Sequence, residues 1–393
     1  MRRIDLKRAN VARPNTIRDI NRQIVLNYVR ERGPISRAEI AQETALQRST
    51  VSLIVDELKS GGLIEEVYGE STGGRPPILL SLRTADAVAI GVDLGTRRTI
   101  VATSDLAGRV LEQEEFPTDP DARQTTSRII DCARRFISRS GGTVEGVGVS
   151  LPGMVDQETG TASFIPHFKW RDLEIAADIR AAIGLPVTAD NDANAAALAE
   201  LWFGRPEIRE VRDFILVLIE EGVGTGIVFD GQVYRGQSGA AGEFGHMTIG
   251  QDAPVACAAG SRGCWEAFAS ERAAVARYVK LKPAAGVKFG QLLELALGGE
   301  AEAQSALRET AWYLGLGIAN LIQGLSPEAV IVGGPVVRAW TLIANDIRTA
   351  VRKNTCRGLP PTQIIASTLG AEPTLMGALS LVLMTKFTQV SLS

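Results

Sequence analysis

Residues 36–60 read SRAEIAQETALQRSTVSLIVDELKS. Ser36 stands where an N-cap would, and Glu39 follows three residues later, the pattern of a capping box. Ile40 and Ala41 give the short helix that follows an apolar face. Thr44-Ala45-Leu46 reads as a tight turn. Gln47 to Lys59 reads as a second helix, with Val51, Ile54, Val55 and Leu58 at core spacing. Two short helices joined by about three residues form a helix-turn-helix, whose second helix enters the major groove. Gln47, Arg48, Ser49, Thr50 and Ser52 then lie near the exposed start of that helix, where bases and phosphates are met.

The flanking sequence completes a winged head. Thr16 to Arg32 is predicted as a first helix, ended by Gly33-Pro34. Downstream, Leu63-Ile64 and Ile78-Leu79-Leu80 read as the strands of a small hairpin. Between them Gly73-Gly74-Arg75-Pro76-Pro77 forms a wing that can lay the Arg75 guanidinium in a minor groove; a surface turn rich in breakers is the plainer reading.

Charge divides the chain in the same place. The first 83 residues hold 14 Lys and Arg against 10 Asp and Glu, and the other 310 hold 28 against 35. A basic head on an acidic body aims the head at phosphate. A length of 393 residues allows two or three domains. A hydrophobic share of 45% with 22% charged residues is that of an ordinary soluble protein. No 18-residue apolar run or signal peptide is visible, and residues 369–384 read as a buried helix. The four cysteines form no dense framework, which fits a reducing cytoplasm. Cys132 and Cys356 read as small buried apolar residues. The expected location is cytoplasmic, with no membrane partner.

The body carries four glycine-rich units at the ends of β runs: 87–115, 144–160, 214–231 and 329–337. Each can be a tight turn or a loop that approaches a ligand closely. Their repetition suggests two α/β lobes around a cleft. Asn191-Asp192 follows the strand PVTAD and opens the helix ANAAALAELWFG. A carboxylate there can hold a hydroxyl, or the pair can simply cap the helix. Glu243 and His246 in GAAGEFGHM and Glu266 in GCWEAFAS add polar groups suited to a polyol. His246, Cys257 and Cys264 have the types of zinc ligands but number only three, and metal-free packing is the rival reading. His167, in FIPHFKW, can cover the cleft or lie exposed.

Taken in order, the helix-turn-helix with GGRPP, Asp93-Leu94-Gly95, SLPGMVD, NDANAAALAE, GEFGHM, CAAGSRGCWE and VGGP give the whole chain a resemblance to the ROK family (repressors, open reading frames and sugar kinases), in its repressor branch. The resemblance implies an N-terminal winged helix-turn-helix fused to a two-lobed, actin-like (ribonuclease H-like) α/β body. It implies a winged head over 1–85, a first lobe over 86–189 plus 374–393, and a second lobe over 190–373. Asn191 and Asp192 resemble the family's sugar-binding amide and catalytic carboxylate. Glu243, His246 and Glu266 resemble its other sugar contacts, and Gly153 lies in the loop that lines the sugar. His246, Cys257 and Cys264 match its zinc ligands, although Ala259 stands where the middle cysteine is usual. Two further departures concern ATP. Asp93-Leu94-Gly95-Thr96-Arg97 lacks the second glycine of the kinase pattern, and Glu221 replaces a threonine beside the phosphates. The implied protein is therefore a sequence-specific DNA-binding repressor of carbohydrate genes that binds a sugar or sugar derivative. It is expected to lack kinase activity, with Asp192 a vestigial base. Operator DNA and a second copy of the chain are its expected partners, in a dimer or a tetramer. An active sugar kinase with a regulatory head and a regulator controlled by a protein partner are the alternatives.

Overall fold

The computed structural model of the chain describes residues 14–69, 76–83, 87–204, 211–257, 260–283, 286–370 and 372–388. The head comprises α1 (Pro14–Arg32), α2 (Arg37–Thr44), α3 (Arg48–Ser60) and a hairpin of β1 (Ile64–Tyr68) and β2 (Ile78–Leu82). The capping box forms: the Glu39 N–H donates to Ser36 Oγ at 3.2 Å, and the Ser36 N–H donates to Glu39 Oε2 at 2.8 Å. Ala45 turns the chain at φ +57°. Val51, Ile54, Val55 and Leu58 are buried as their spacing requires, against Val25, Leu26 and Val29 of α1. Ile35 pairs with Leu80, so the segment before α2 adds a third short edge to the hairpin. Arg75 and its two preceding glycines lie outside the described residues.

The body begins with β3 (Ala87–Leu94), β4 (Arg98–Asp105), β5 (Val110–Pro117), α4 (Ala122–Arg139) and β6 (Thr143–Leu151). A small three-stranded sheet follows, of β7 (Met154–Asp156), β8 (Thr161–Ile165) and β9 (Trp170–Leu173). Then come α5 (Ile175–Ile183), β10 (Val187–Asn191) and α6 (Asp192–Phe203). The second half contains β11 (Phe214–Ile219), β12 (Val223–Phe229), β13 (Gln232–Val233), α7 (Trp265–Ala269), α8 (Glu271–Leu281), α9 (Phe289–Leu297) and α10 (Ala301–Leu325). It ends with β14 (Ala329–Gly333), α11 (Trp340–Asn354), β15 (Gln363–Ala366) and α12 (Pro373–Thr388).

Two five-stranded sheets result, ordered β10-β6-β3-β4-β5 and β13-β12-β11-β14-β15. Each is an antiparallel meander of three strands whose first strand also pairs, in parallel, with a later one. The same topology thus occurs twice. β11 and β14 lie at the middle of their sheet and are buried at every position, which explains the unbroken apolar runs FILVLI and AVIVG. Of the glycine-rich units, 144–160 and 214–231 bring Gly153, Gly222 and Gly224 to the gap between the sheets. α12 packs on β3 and β6 and along α6. It is apolar and buried, as read from sequence, and no described helix is long and apolar enough to cross a membrane. Cys132 is buried, but Cys356 is exposed. The second is a correction: Cys356 lies in the turn after α11, where its N–H donates to Gln323 Oε1 of α10 and the residue is left exposed.

The head is seated on the body. Its core continues into Ala87, Leu106 and Leu383, with Trp202 and Phe203 of α6 packed against it.

Candidate functional site

A cavity of about 360 Å³ opens between the two sheets, within the size range of small-molecule pockets. Gly153, Asn191, Asp192, Glu243, His246 and Glu266, separated by up to 113 positions in sequence, all line it. The end of β10 supplies Asn191 and Asp192. A 3-10 turn, Glu243–His246, supplies the next pair, and α7 supplies Glu266.

Asn191 does cap α6: its Oδ1 accepts the N–H groups of Ala193 at 3.0 Å and Asn194 at 3.2 Å. Its Nδ2 donates to the Gly153 carbonyl at 3.0 Å. That bond holds the loop in which Gly153 adopts φ +91°; a Cβ there would meet the Phe164 carbonyl oxygen at 2.2 Å. Asp192 Oδ1 also accepts the Ala193 N–H, at 2.7 Å, and Asp192 lines the cavity. Behind them stands a buried ion pair absent from the sequence reading. Arg235, after β13, donates from Nε to Asp190 Oδ2 at 2.8 Å, and Asp190 Oδ1 accepts the Asn191 N–H at 2.8 Å. Asp190 is fully buried, so this pair pins the loop leading to Glu243 against the strand that presents Asn191.

The cavity is strongly acidic. Enclosure pushes Asp192 up to about 7, with the charges of Glu243 and Asp190 adding to it and the Ala193 N–H opposing. Asp93, at the end of β3, is likewise pushed up to about 7 by enclosure, with Glu372 and Asp192 adding. Glu220 is driven well above the usual carboxylate range by burial and by Asp93 and Asp192. Glu243 is raised by burial and by Glu266, against the pull of His246. Such groups are acceptors and proton-sharing partners for neutral hydroxyls. Glu220, Thr96 and Arg272 also line the cavity, and sequence reasoning did not single them out. The only signal for Glu220 was its place at the end of a buried strand beside Glu221.

Glu221 is not a free anion. Thr96 Oγ1 donates to its Oε2 at 2.9 Å, Arg97 pairs with Oε1, and His167 Nδ1 lies 3.8 Å away. The turn of the first sheet is thereby tied to the turn of the second, and His167 is placed at the cleft.

His246, Cys257 and Cys264 converge, their ligand atoms all within 4.8 Å of one another. Nδ1 of His246 is buried without a hydrogen-bond partner among the described residues. An orphaned ring nitrogen beside two thiols fits a soft metal ion. Ala259 lies outside the described residues.

On the head, Gln47, Arg48 and Ser49 are exposed at the start of α3, and Thr50 and Ser52 are half-buried. Leu53, on the same face, is 66% exposed. It lies off the Val51–Leu58 stripe, the signal by which an outward leucine could have been found.

Comparison with known proteins agrees with both halves. Residues 89–385 match the ROK family, and residues 18–65 match a winged helix-turn-helix DNA-binding family. The chain is 30% identical to the xylose repressor of Bacillus spizizenii, over 95% of this chain and 97% of that one. It superimposes on a ROK family transcriptional regulator, a homolog of the E. coli MLC protein, with a TM-score of 0.80 at 26% identity, covering 95% and 97% of the two chains. It also resembles a ROK family glucokinase from Streptomyces griseus in complex with glucose and AMPPNP, with a TM-score of 0.67 at 33% identity. That likeness covers 75% of this chain and 98% of the glucokinase.

Proposed function

The chain belongs to the ROK family, and from that membership we propose that it is a DNA-binding transcriptional repressor of sugar-metabolism genes whose body takes a sugar as effector. The observation that carries the proposal is the winged head: it stands on a body with a polar cavity, in a chain that spans nearly the full length of a repressor. Gln47, Arg48, Ser49, Thr50 and Ser52 meet operator DNA, with Arg75 in the wing. Leu53 adds an apolar surface for a thymine methyl. Gly153, Asn191, Asp192, Glu243, His246 and Glu266 hold the sugar. The division into a head over 1–85, a first lobe over 86–189 with 374–393, and a second lobe over 190–373 belongs to the same proposal. So does a dimer reading a palindrome, since one head covers few base pairs; a monomer by light scattering at micromolar concentration would count against it.

Kinase activity is the second reading, favoured by the glucokinase likeness and by Asp192, a carboxylate near neutrality in the cavity. Against it, Glu221 with Thr96 and Arg97 fills the gap between the two turns with a carboxylate where phosphoryl transfer needs donors for anionic oxygens. The test has two arms. Fluorescence anisotropy with DNA selected from a random pool measures operator binding, with and without D-xylose, D-glucose and N-acetyl-D-glucosamine. ADP release with ATP and magnesium measures turnover. Sequence-specific DNA binding altered by one sugar supports the repressor. Turnover near 1 per second or faster, the ordinary enzymatic range, abolished by D192N, would replace it with the kinase.

Zinc is the metal that suits one imidazole and two thiolates. His246, Cys257 and Cys264 would hold it, and its part would be to fix the loop that carries His246 toward the cavity. Near one zinc per chain is expected from metal analysis of protein purified without chelator; none, with unchanged sugar binding in C257S, would sink this assignment.

A further inference from the structure

Helix α6 touches both functional ends of the molecule. Its first residue, Asp192, lines the cavity, and its N-cap is Asn191. Its last two residues, Trp202 and Phe203, pack against the cluster in which the head core continues into Ala87, Leu106 and Leu383 of the body, and Phe203 lies over Gly108. The Arg30 guanidinium of α1 lies 3.9 Å from the centroid of the Trp202 ring. The helix has 12 residues, about 18 Å of length.

The middle of α6 is built to move as one body with its neighbours. Residues 193–200 are all buried, and five of the eight are alanine. Small residues let backbones approach. A Cβ on Gly226 of β12 would lie 2.3 Å from the Ala193 carbonyl oxygen. A Cβ on Gly377 of α12 would lie 2.4 Å from the Ala195 carbonyl carbon. The helix is therefore gripped on one side by the second sheet and on the other by a helix of the first lobe. Such a rod has little room to bend, and packed interfaces shift between discrete arrangements more readily than they deform. A displacement of its first turn is therefore passed along the rod to its last. One end carries the sugar contacts, and the other carries the platform for α1.

Resting on the effector-sensing function proposed above, we propose that α6 carries the sugar signal to the DNA head, and that the Trp202–Arg30 contact is where the head reads it. Trp202 is not among the residues that line the cavity, and Gln47, Arg48 and Ser49 are exposed at the start of α3. Loss of Trp202 should leave both binding events in place and remove the coupling between them. Coupling is a free energy shared reciprocally by the two ligands, so it can be measured from either side.

The experiment uses the full chain and DNA selected from a random pool. Operator affinity is measured by fluorescence anisotropy with and without the one of D-xylose, D-glucose and N-acetyl-D-glucosamine that raises the thermal midpoint most. Sugar affinity is measured by calorimetry with and without operator. For the wild type, a sugar-dependent change of about 5–150-fold in operator affinity is expected, the usual range of allosteric coupling. W202A should bind each ligand alone within about threefold of wild type, while the ratio falls to near 1 from both sides. W202F, which keeps a ring under Arg30, should retain most of the ratio. R30Q probes the contact from the head and should lose the coupling even where W202A does not fold. Full coupling in folded W202A or in R30Q overturns the inference and leaves the sensor intact. A wild type whose operator affinity no sugar changes, although sugar binds, overturns both.

Discussion

Asp192 is a carboxylate held close to neutrality at working pH. Its usual value is 3.8, and in the folded chain it is pushed up to about 7. Between those values the folded protein binds more protons than the unfolded chain. The contribution of this group to the stability of the empty protein is therefore complete below about pH 4 and is lost as pH rises toward 7. Asp93 and Glu271, each raised to about 7, act with the same sign. The thermal midpoint of the sugar-free protein should fall between pH 4.5 and 7.5, and less steeply in D192N. A sugar hydroxyl that donates to ionised Asp192 reverses the balance. Sugar affinity should weaken as pH drops below 7, by up to about tenfold per unit for one coupled proton. D192N should bind more weakly at pH 8 and show a flatter profile. Identical profiles for the two proteins would mean that Asp192 is not the acceptor. Arg235 makes a separate prediction. Removing one partner of a buried ion pair costs about 3–5 kcal/mol, because the other charge is stranded. R235M should lose that much in urea denaturation, and D190N/R235M should regain part of it; equal stabilities for R235M and wild type would deny the pair its role.

Helix α3 was legible because its chemistry is local. A cap, a turn and an apolar stripe occupy 25 consecutive residues, and all three formed where their spacing put them. That Gly153, Asn191, Asp192, Glu243, His246 and Glu266 line one cavity was legible for another reason: each sits in a turn or at the end of a strand or helix, where the backbone presents a side chain to a cleft. The interactions missed are long-range. Asp190 reads as one more polar residue at a strand end until Arg235, 45 positions later, folds against it. Trp202 reads as the apolar end of a helix, and no local pattern says that its neighbour is the DNA head. Cys356 failed for the opposite reason, since its exposure follows from where α11 stops. Leu53 breaks the buried periodicity of α3 and so lies on its exposed side, the side proposed to meet DNA. If Arg48 reads a base, R48A should cost about 1–3 kcal/mol of operator affinity and relax one position of the site. If it meets phosphate, all sequences should weaken alike and the salt slope should fall by about one unit. L53A should weaken only sites with thymine at one position. Wild-type binding by both variants across a salt titration would move the DNA contact elsewhere.

Two sheets with the same strand order face each other across the cavity, and among the described residues two ion pairs join them. Asp190 and Arg235 form the buried one, deep in the body, where it acts as a pin. Arg97 and Glu221 form the other, at the turns that close the cavity, where Arg97 is 58% exposed and Glu221 is 21% exposed. The difference in burial sets their roles. A buried pair is costly to break and holds one geometry. A partly exposed pair is worth about 0.2–1 kcal/mol, small enough to open and close on binding. The Thr96 hydroxyl and the His167 ring gather at the same carboxylate, so the turn between β3 and β4, the turn between β11 and β12, and the loop before β9 meet at one point. Glu221 thus ties these three segments together in addition to occupying the gap between the turns. Neutralising it in E221Q should weaken sugar binding by about 1.4–5-fold, the range that 0.2–1 kcal/mol allows. The same change should enlarge the sugar-free protein in small-angle scattering, and saturating sugar should remove the difference. High salt should weaken wild-type sugar binding toward the E221Q value, because screening acts on the exposed pair first. The charge-reversed double variant R97E/E221R should recover part of the lost affinity. Tighter sugar binding in E221Q, or no recovery in the double variant, would show that the pair restrains closure or is irrelevant to it.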